Sequence, residues 1–157
     1  MEKLEVIIGQ MFAERKLKLA TAESYTGGQV GHRLTNVPGS SEYFEGGIIA
    51  YSYEAKERLL GVHHDTLYER GAVSAETALE MARGARKALG TDIGIAVTGI
   101  AGPGGGLPGK PVGLVYIALS ARAYERVEHF VWKSDREGNK LQSAEAALAM
   151  LKEFLEQ

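Results

Sequence analysis

The 157-residue sequence contains no cysteine. This absence excludes disulfide bonds, thiolate nucleophiles and thiolate metal sites, and it fits a reducing compartment, so we expect a cytoplasmic protein. The sequence also lacks a large excess of charge of one sign, because it has 18 basic and 20 acidic residues and a formal net charge of -2. The chain therefore has no overall positive field to hold nucleic acid or an anionic membrane, although a local basic pocket remains compatible with these counts.

No apolar run approaches the roughly 20 residues that a membrane-spanning helix needs, so we expect no membrane association. The first segment, from Met1 to Arg15, has apolar residues at helical spacing with charges between them. It predicts an amphipathic helix and not a signal peptide. With 45% hydrophobic residues, the chain fits one compact domain over residues 1–157.

Apolar periodicity and turn residues predict helices that alternate with short buried strands, followed by a hairpin. This order indicates a single α/β domain, a three-layer α/β/α sandwich with a mixed β-sheet. The predicted strands are 16–21, 47–51, 93–97, 112–119 and 124–132. The predicted helices are 1–15, a stretch opened by 27–28, 54–60, one capped by Ser74 that stops at Gly90, and one from Asp135 with an apolar seam of Leu141, Ala144, Leu148, Leu151 and Leu155.

Three polar segments follow predicted strands, at residues 23–28, 51–56 and 98–106. Open α/β sheets bind ligands at the carboxyl ends of their strands, so these segments are candidate site residues. In the first segment, Ser24 lies at a strand-to-helix junction before Thr26, Gly27 and Gly28. Its hydroxyl can act as a nucleophile, with the backbone N–H groups around Thr26 to Gly28 holding the oxyanion. Alternatively, Ser24 or Thr26 is simply an N-cap, and the local sequence favours the cap.

The second segment supplies Tyr51 and Lys56 across a strand-to-helix turn. A serine without a neighbouring histidine needs another base, and a lysine of lowered pKa is one solution. The alternative is a solvated Lys56 paired with Glu54 or Glu57 on the helix surface. Sequence alone leaves both interpretations open.

The third segment, 98–106, is a glycine-rich loop after a strand. Glycines let backbone amides approach an anion, so a phosphate cradle is one interpretation and a plain connection is the other. The loop fits neither a Walker A motif nor a dinucleotide-binding fingerprint. Lys110 and Arg136 can add positive charge there or lie on the surface.

The four histidines lack the spacing of metal ligands, so we expect no metal site and no cofactor. A basic stripe with interleaved aromatic residues is also missing, which argues against nucleic-acid binding.

Several of these segments occur together and in order along the chain. They are 21–28 (TAESYTGG), 47–56 (GIIAYSYEAK), 60–62 (LGV), 71–74 (GAVS), 98–103 (TGIAGP) and 110–113 (KPVG). In this combination the sequence resembles the CinA C-terminal domain family over nearly its whole length. The resemblance implies a compact α/β/α fold and nicotinamide mononucleotide deamidase activity, an amide hydrolysis that yields nicotinic acid mononucleotide and ammonia in pyridine nucleotide salvage.

The resemblance also implies roles for individual residues. The serine of the family's Glu-Ser-x-Thr-Gly-Gly motif falls on Ser24 as nucleophile, and the lysine of its Tyr-Ser-x-Glu-Ala-Lys motif falls on Lys56 as base, with Tyr51 as a polar partner. Further residues are expected to bind substrate or to shape its pocket. They are Glu23, Thr26, Gly27, Gly28, Thr98, Gly99, Gly102 and Arg136, the last within the step Asp135-Arg136.

Two departures from the family pattern are visible. Many relatives have cysteine where this chain has Tyr25, whose larger ring can narrow the pocket or alter substrate preference. Larger members carry an N-terminal domain, and this sequence begins with the deamidase-like unit, so we expect a stand-alone form.

A second function is compatible with the same motifs. A non-catalytic nucleotide-binding or stress-response (competence/damage-inducible) interaction module would keep the pocket without turnover. For either function we expect a small-molecule nucleotide ligand and a homo-oligomer, because the terminal helices and the 112–132 hairpin offer apolar surface.

Overall fold

The computed structural model describes residues 2–157 and contains a five-stranded sheet in the order β2-β1-β3-β4-β5. Its strands are β1 (Leu19–Glu23), β2 (Phe44–Ile49), β3 (Ile93–Gly99), β4 (Leu114–Ala121) and β5 (Tyr124–Val131). Strand β1 pairs in parallel with β2 and β3, whereas β4 is antiparallel to both β3 and β5. The sheet is therefore mixed, as predicted.

Within residues 2–157, six α-helices cover the two faces of this sheet. They are α1 (Leu4–Arg15), α2 (Gln29–Thr35), α3 (Tyr53–Leu60), α4 (His64–Arg70), α5 (Ala75–Leu89) and α6 (Arg136–Leu155), with a 3-10 turn at Ser40–Glu42. One apolar cluster lies between the sheet and α1, α2 and α6, and a second lies between the sheet and α3, α4 and α5. The predicted three-layer α/β/α sandwich is confirmed.

Helix α4 and the first half of β2 differ from the sequence-based expectation. Among the seven residues of α4 only Leu67 is buried, so no apolar stripe in the sequence predicts this helix. Strand β2 lies at the edge of the sheet with Gly46 and Gly47 in its middle, and it begins at Phe44 instead of residue 47. Strand β2 is held by its pairing with β1, and Leu67 holds α4 by packing in the second apolar cluster.

The apolar seam predicted for α6 is wrong at one position. Leu141 is 49% exposed. The inward face of the first turns carries the polar residues Asn139 and Ser143 instead, both buried. Below them Ala144, Leu148 and Leu151 are buried as expected. Polar groups thus enter the core at the end of α6 that adjoins the candidate site.

Candidate active site

The carboxyl ends of three parallel strands bring the predicted segments to one edge of the sheet. Glu23 at the end of β1 is in register with Ile49 at the end of β2 and with Val97 near the end of β3. The turn after β1, the connection into α3 and the glycine-rich loop after β3 all start from this edge. The predicted crevice position is therefore where the chain gathers its polar segments.

Ser24 and Lys56 are in direct contact at this edge. The Lys56 Nζ atom lies 2.9 Å from Ser24 Oγ, although 32 positions separate the two residues in sequence. The same nitrogen donates to the backbone carbonyls of Ala50 at 2.9 Å and Tyr51 at 3.0 Å. Three oxygen atoms thus fix the amine in a single position against the serine.

Helix α3 carries Lys56 inward. Ser52 caps the helix by accepting a hydrogen bond from Ala55 N, and Lys56 and Leu60, one turn apart, are its two buried residues. Lys56 is 1% exposed and forms no ion pair with Glu54 or Glu57, so the solvated surface alternative is wrong. Burial lowers the pKa of Lys56 from 10.5 to about 8, because the charged form loses its hydration.

Tyr51 contributes its backbone to this arrangement. Its carbonyl oxygen contacts Lys56, while its ring is 63% exposed and its hydroxyl accepts a hydrogen bond from Arg136 Nη2 at 3.3 Å. The structure thus brings Tyr51, Lys56 and Arg136 together as predicted residues, but the phenol faces Arg136 and not the amine.

The Glu23 carboxylate holds the turn that carries Ser24. Its Oε1 atom accepts from Thr26 Oγ1, Gly28 N and Val30 N at 2.7, 3.2 and 3.0 Å, and its Oε2 atom accepts from Gly31 N at 3.0 Å. Glu23 therefore neutralises the N-terminus of α2, which differs from the substrate contact predicted for it. The hydroxyl of Thr26 is likewise turned to Glu23.

The N-cap alternative for Ser24 and Thr26 is wrong. Gly28 is the cap residue of α2, and no side chain forms the usual cap bond there. Ser24 is 7% exposed and its hydroxyl contacts Lys56. Gly27 and Gly28 have φ values of 61° and 107°, a region that favours glycine, so these two residues shape the turn.

The sequence predicts that the N–H groups around Thr26 to Gly28 face a ligand, but those of Gly27 and Gly28 are already paired within the protein. Gly27 N donates to Ser24 O and Gly28 N to Glu23. Within residues 2–157, the amides of Tyr25 and Thr26 donate to no protein acceptor. These two amides are the donors next to Ser24 that remain for a developing oxyanion.

The glycine-rich loop packs closely on the serine turn. A Cβ atom on Gly99 would lie 2.7 Å from Leu114 O and 2.9 Å from Tyr25 Cε1, so no side chain fits there. Thr98 is buried and its hydroxyl donates to Ala72 O at 2.8 Å, which ties β3 to the start of α5. Gly102 O accepts from Arg136 Nη1 at 2.9 Å. Thr98, Gly99 and Gly102 thus lie at the predicted edge.

A buried polar network that sequence reasoning missed joins these segments. Tyr25 Oη contacts Ser143 Oγ, which also accepts from Trp132 Nε1 at 2.8 Å. Asn139 Nδ2 donates to Ala101 O at 2.9 Å, and its Oδ1 accepts from Ser134 N at 3.0 Å. Asn139 and Ser143 are one helical turn apart, and polar residues on an otherwise apolar helix face were the available signal.

Over residues 2–157 no group of three or more His, Cys, Asp or Glu side chains is arranged to hold a metal ion. Over the same residues no helix is both long and apolar enough to cross a membrane.

Comparison with known proteins decides the family. Residues 1–155 match the CinA C-terminal domain. The chain belongs to this family. A Moorella thermoacetica protein named for competence-damage induction is 53% identical over 150 residues, which cover 96% of this chain and 36% of the relative. A "CinA-like protein" of Chloroherpeton thalassium is 51% identical over 156 residues, 97% of this chain and 37% of the relative.

Solved structures of the family have the same fold. The competence/damage inducible protein CihA of Agrobacterium tumefaciens is 42% identical with a TM-score of 0.91, and the match covers 98% of this chain and 94% of that one. A competence damage-inducible protein A of Klebsiella pneumoniae reaches a TM-score of 0.95 at 34% identity, over 98% and 96% of the two chains. The chain spans little more than a third of the length of the sequence relatives above, 36% and 37%, but nearly all of these solved chains.

Proposed function

We propose that the protein is an amidohydrolase that converts nicotinamide mononucleotide to nicotinic acid mononucleotide and ammonia, with Ser24 as nucleophile and Lys56 as base. The observation that carries this proposal is the 2.9 Å contact between Lys56 Nζ and Ser24 Oγ, made by a lysine whose pKa burial lowers to about 8. Part of the Lys56 population is then neutral near physiological pH, as a general base requires.

The hydrogen-bond pattern of Lys56 also orients the neutral amine. A neutral amine has two N–H donors and one lone pair, and the carbonyls of Ala50 and Tyr51 accept from two positions on the nitrogen. The third position faces Ser24 Oγ. With both donors held by carbonyls, the lone pair points at the serine hydroxyl, which is the geometry for proton abstraction.

The proposed reaction is acyl transfer in two stages. Ser24 Oγ attacks the carboxamide carbon while its proton passes to Lys56, and the free amides of Tyr25 and Thr26 hold the oxyanion. The resulting Lys56 ammonium returns the proton to the leaving nitrogen, so ammonia departs and an ester to Ser24 remains. Water then attacks that ester, with Lys56 again accepting the proton, and the products are the free carboxylate and the Ser24 hydroxyl.

The remaining predicted residues surround this reaction site in the proposal. Thr98, Gly99 and Gly102 line the edge that the substrate would occupy, and Arg136 reaches over it from α6 to Gly102 and Tyr51. Glu23 acts on Ser24 through the turn and serves as a positioning residue. The cationic pyridinium of the substrate would further favour the neutral form of Lys56.

Incubation of the purified protein with nicotinamide mononucleotide tests the proposal. We expect ammonia and nicotinic acid mononucleotide in equal amounts, and we expect the Ser24→Ala and Lys56→Ala variants to release neither while they remain folded. Affinity for the nucleotide without product formation would support the binding-module alternative. Turnover like that of the wild type in either variant would overturn the assignment of these residues.

A further inference from the structure

The Lys140 side chain lies beside the serine turn. A Cβ atom placed on Gly27 would be 3.8 Å from Lys140 Nζ, which puts the ammonium three residues away from Ser24 along the turn. The Lys140 side chain is half-buried, and among residues 2–157 it forms neither a hydrogen bond nor an ion pair. A lysine that lies near a backbone turn without an acidic partner is available to bind an anion.

Arg136 is the second cation at this place. It precedes Lys140 by one turn of α6, so the two side chains project from the same helix face. Its guanidinium uses one nitrogen for Gly102 O and another for Tyr51 Oη, and it forms no ion pair in the described chain. A guanidinium has five N–H donors, so several remain for an anion.

Both cations lie near segments that hold the Ser24–Lys56 pair. Arg136 contacts Tyr51, whose carbonyl holds Lys56 against Ser24. Lys140 approaches the same serine through the Gly27 turn. The two positive groups therefore lie at the sheet edge that carries Ser24, Arg136 at Gly102 and Tyr51 and Lys140 at Gly27.

Two acidic groups near this turn, Glu23 and Asp135, form no ion pair with Lys140 or Arg136. The Glu23 carboxylate is buried and accepts four hydrogen bonds from its own turn and from α2. The Asp135 carboxylate caps α6 by accepting from Gly138 N at 2.7 Å. Although the whole chain has a formal charge of -2, Lys140 and Arg136 are two cations beside the serine turn that form no ion pair within residues 2–157, so both can bind an anion.

We infer that Lys140, together with Arg136, binds the phosphate monoester of the substrate and so selects nucleotides over nucleosides. This inference rests on the proposed function, which supplies a substrate with a carboxamide at one end and a phosphate at the other. Arg136 offers a planar pair of donors and Lys140 a point charge, a combination common in phosphate recognition. Two unpaired cations also attract an anionic substrate, an effect that salt screens.

Kinetics with two substrates test the inference. For Lys140→Gln we expect KM for nicotinamide mononucleotide to rise about tenfold or more, with kcat nearly unchanged, because a charge-assisted hydrogen bond is lost. KM for nicotinamide riboside, which lacks the phosphate, should not change, and Lys140→Arg should restore most of the nucleotide affinity. Lys152→Gln is the matched control on the same helix, since Lys152 pairs with Glu156 on the surface. An equal rise for both substrates, or no rise for the nucleotide, would overturn the inference.

Calorimetry separates this inference from the proposed reaction. Binding of nicotinamide mononucleotide is measured for the Ser24→Ala protein and for the same protein with Lys140→Gln, so that turnover is not required. Binding that weakens about tenfold with Lys140→Gln supports the phosphate site even if the wild type releases no ammonia, in which case only the proposed function fails. Binding that is absent, or that does not depend on Lys140, overturns the phosphate site.

Discussion

The Lys56 amine nitrogen lies 2.9 Å from the Ser24 hydroxyl oxygen, and both side chains are buried at the carboxyl edge of the parallel strands. The lysine reaches the serine from α3, while the serine follows β1, so the pair exists only once the sheet has assembled.

The pH dependence of ammonia release should report the titration of Lys56. Its pKa is lowered to about 8, and only the neutral amine accepts the Ser24 proton, so kcat/KM should rise with pH and level off above about 8. Steady-state assays between about pH 6 and pH 10 measure this rise of kcat/KM. Lys56→Arg, which stays charged at these pH values, should show neither activity nor this rise of kcat/KM with pH. A wild-type rate that is independent of pH in this range would contradict the role of Lys56.

Protein stability should depend on the same titration with a defined sign. Below pH 8 both the folded and unfolded states carry the Lys56 proton, and burial of the charge destabilises the fold in full. Between about 8 and 10.5 the folded state has lost this proton while the unfolded state keeps it, so stability rises with pH through this window.

Urea denaturation of the wild type and Lys56→Met measures this effect. The free energy of unfolding of the wild type, relative to the variant, should increase by about 3 kcal/mol from pH 7 to pH 10.5. Titrations of other groups cancel in the difference. The surface substitution Lys152→Met should show no such increase, and a relative stability of Lys56→Met that is constant with pH would argue against a lowered pKa.

Glu23→Gln should destabilise the protein and reduce activity together. The carboxylate accepts three backbone N–H groups and the Thr26 hydroxyl, and an amide would set its own NH₂ group against some of these donors. We expect a loss of about 2 to 4 kcal/mol in the free energy of unfolding, measured as a lower urea midpoint at constant m value. Glu14→Gln, at an exposed position of α1, should change stability by less than about 0.5 kcal/mol. A Glu23→Gln protein as stable as the wild type would show that the hydrogen bonds of the Glu23 carboxylate are dispensable.

Tyr51→Phe distinguishes the backbone role of Tyr51 from a role of its phenol. The substitution keeps the carbonyl that contacts Lys56 and removes the hydroxyl that accepts from Arg136. We expect kcat/KM still to rise with pH and to level off near 8. KM for the nucleotide should rise a few-fold, because Arg136 loses one of its two protein acceptors. A fall in kcat of about a hundredfold at unchanged KM would instead assign the phenol to a proton-transfer step.

The layers of the fold and the place of the site could be predicted from sequence because they depend on local patterns. The apolar stripe from Ala78 to Ala85 and the caps Ser74 and Gly90 define α5 within one segment. Helix α4, with a single buried residue, has no such pattern. Polar segments after strands marked the correct sheet edge, since parallel strands end together.

The roles of individual site residues depended on contacts that sequence spacing does not contain. Local rules favoured Ser24 as an N-cap, but the Glu23 carboxylate already satisfies the start of α2. Whether Lys56 was solvated or buried depended on the rotation of α3 against the sheet. Asn139 belongs to a helix face that reads as apolar further along, and its partners Ala101 and Ser134 lie in two different connections.

Rapid-quench mass spectrometry tests the central claim, covalent catalysis by Ser24, most directly. The protein is mixed with excess nicotinamide mononucleotide, quenched in acid during the first turnover, digested and analysed. We predict that the peptide containing Ser24 gains the mass of the substrate minus ammonia, and that the gain is absent in Ser24→Ala. Ammonia release in the first turnover without any adduct on that peptide, or with the adduct on another residue, would contradict the account.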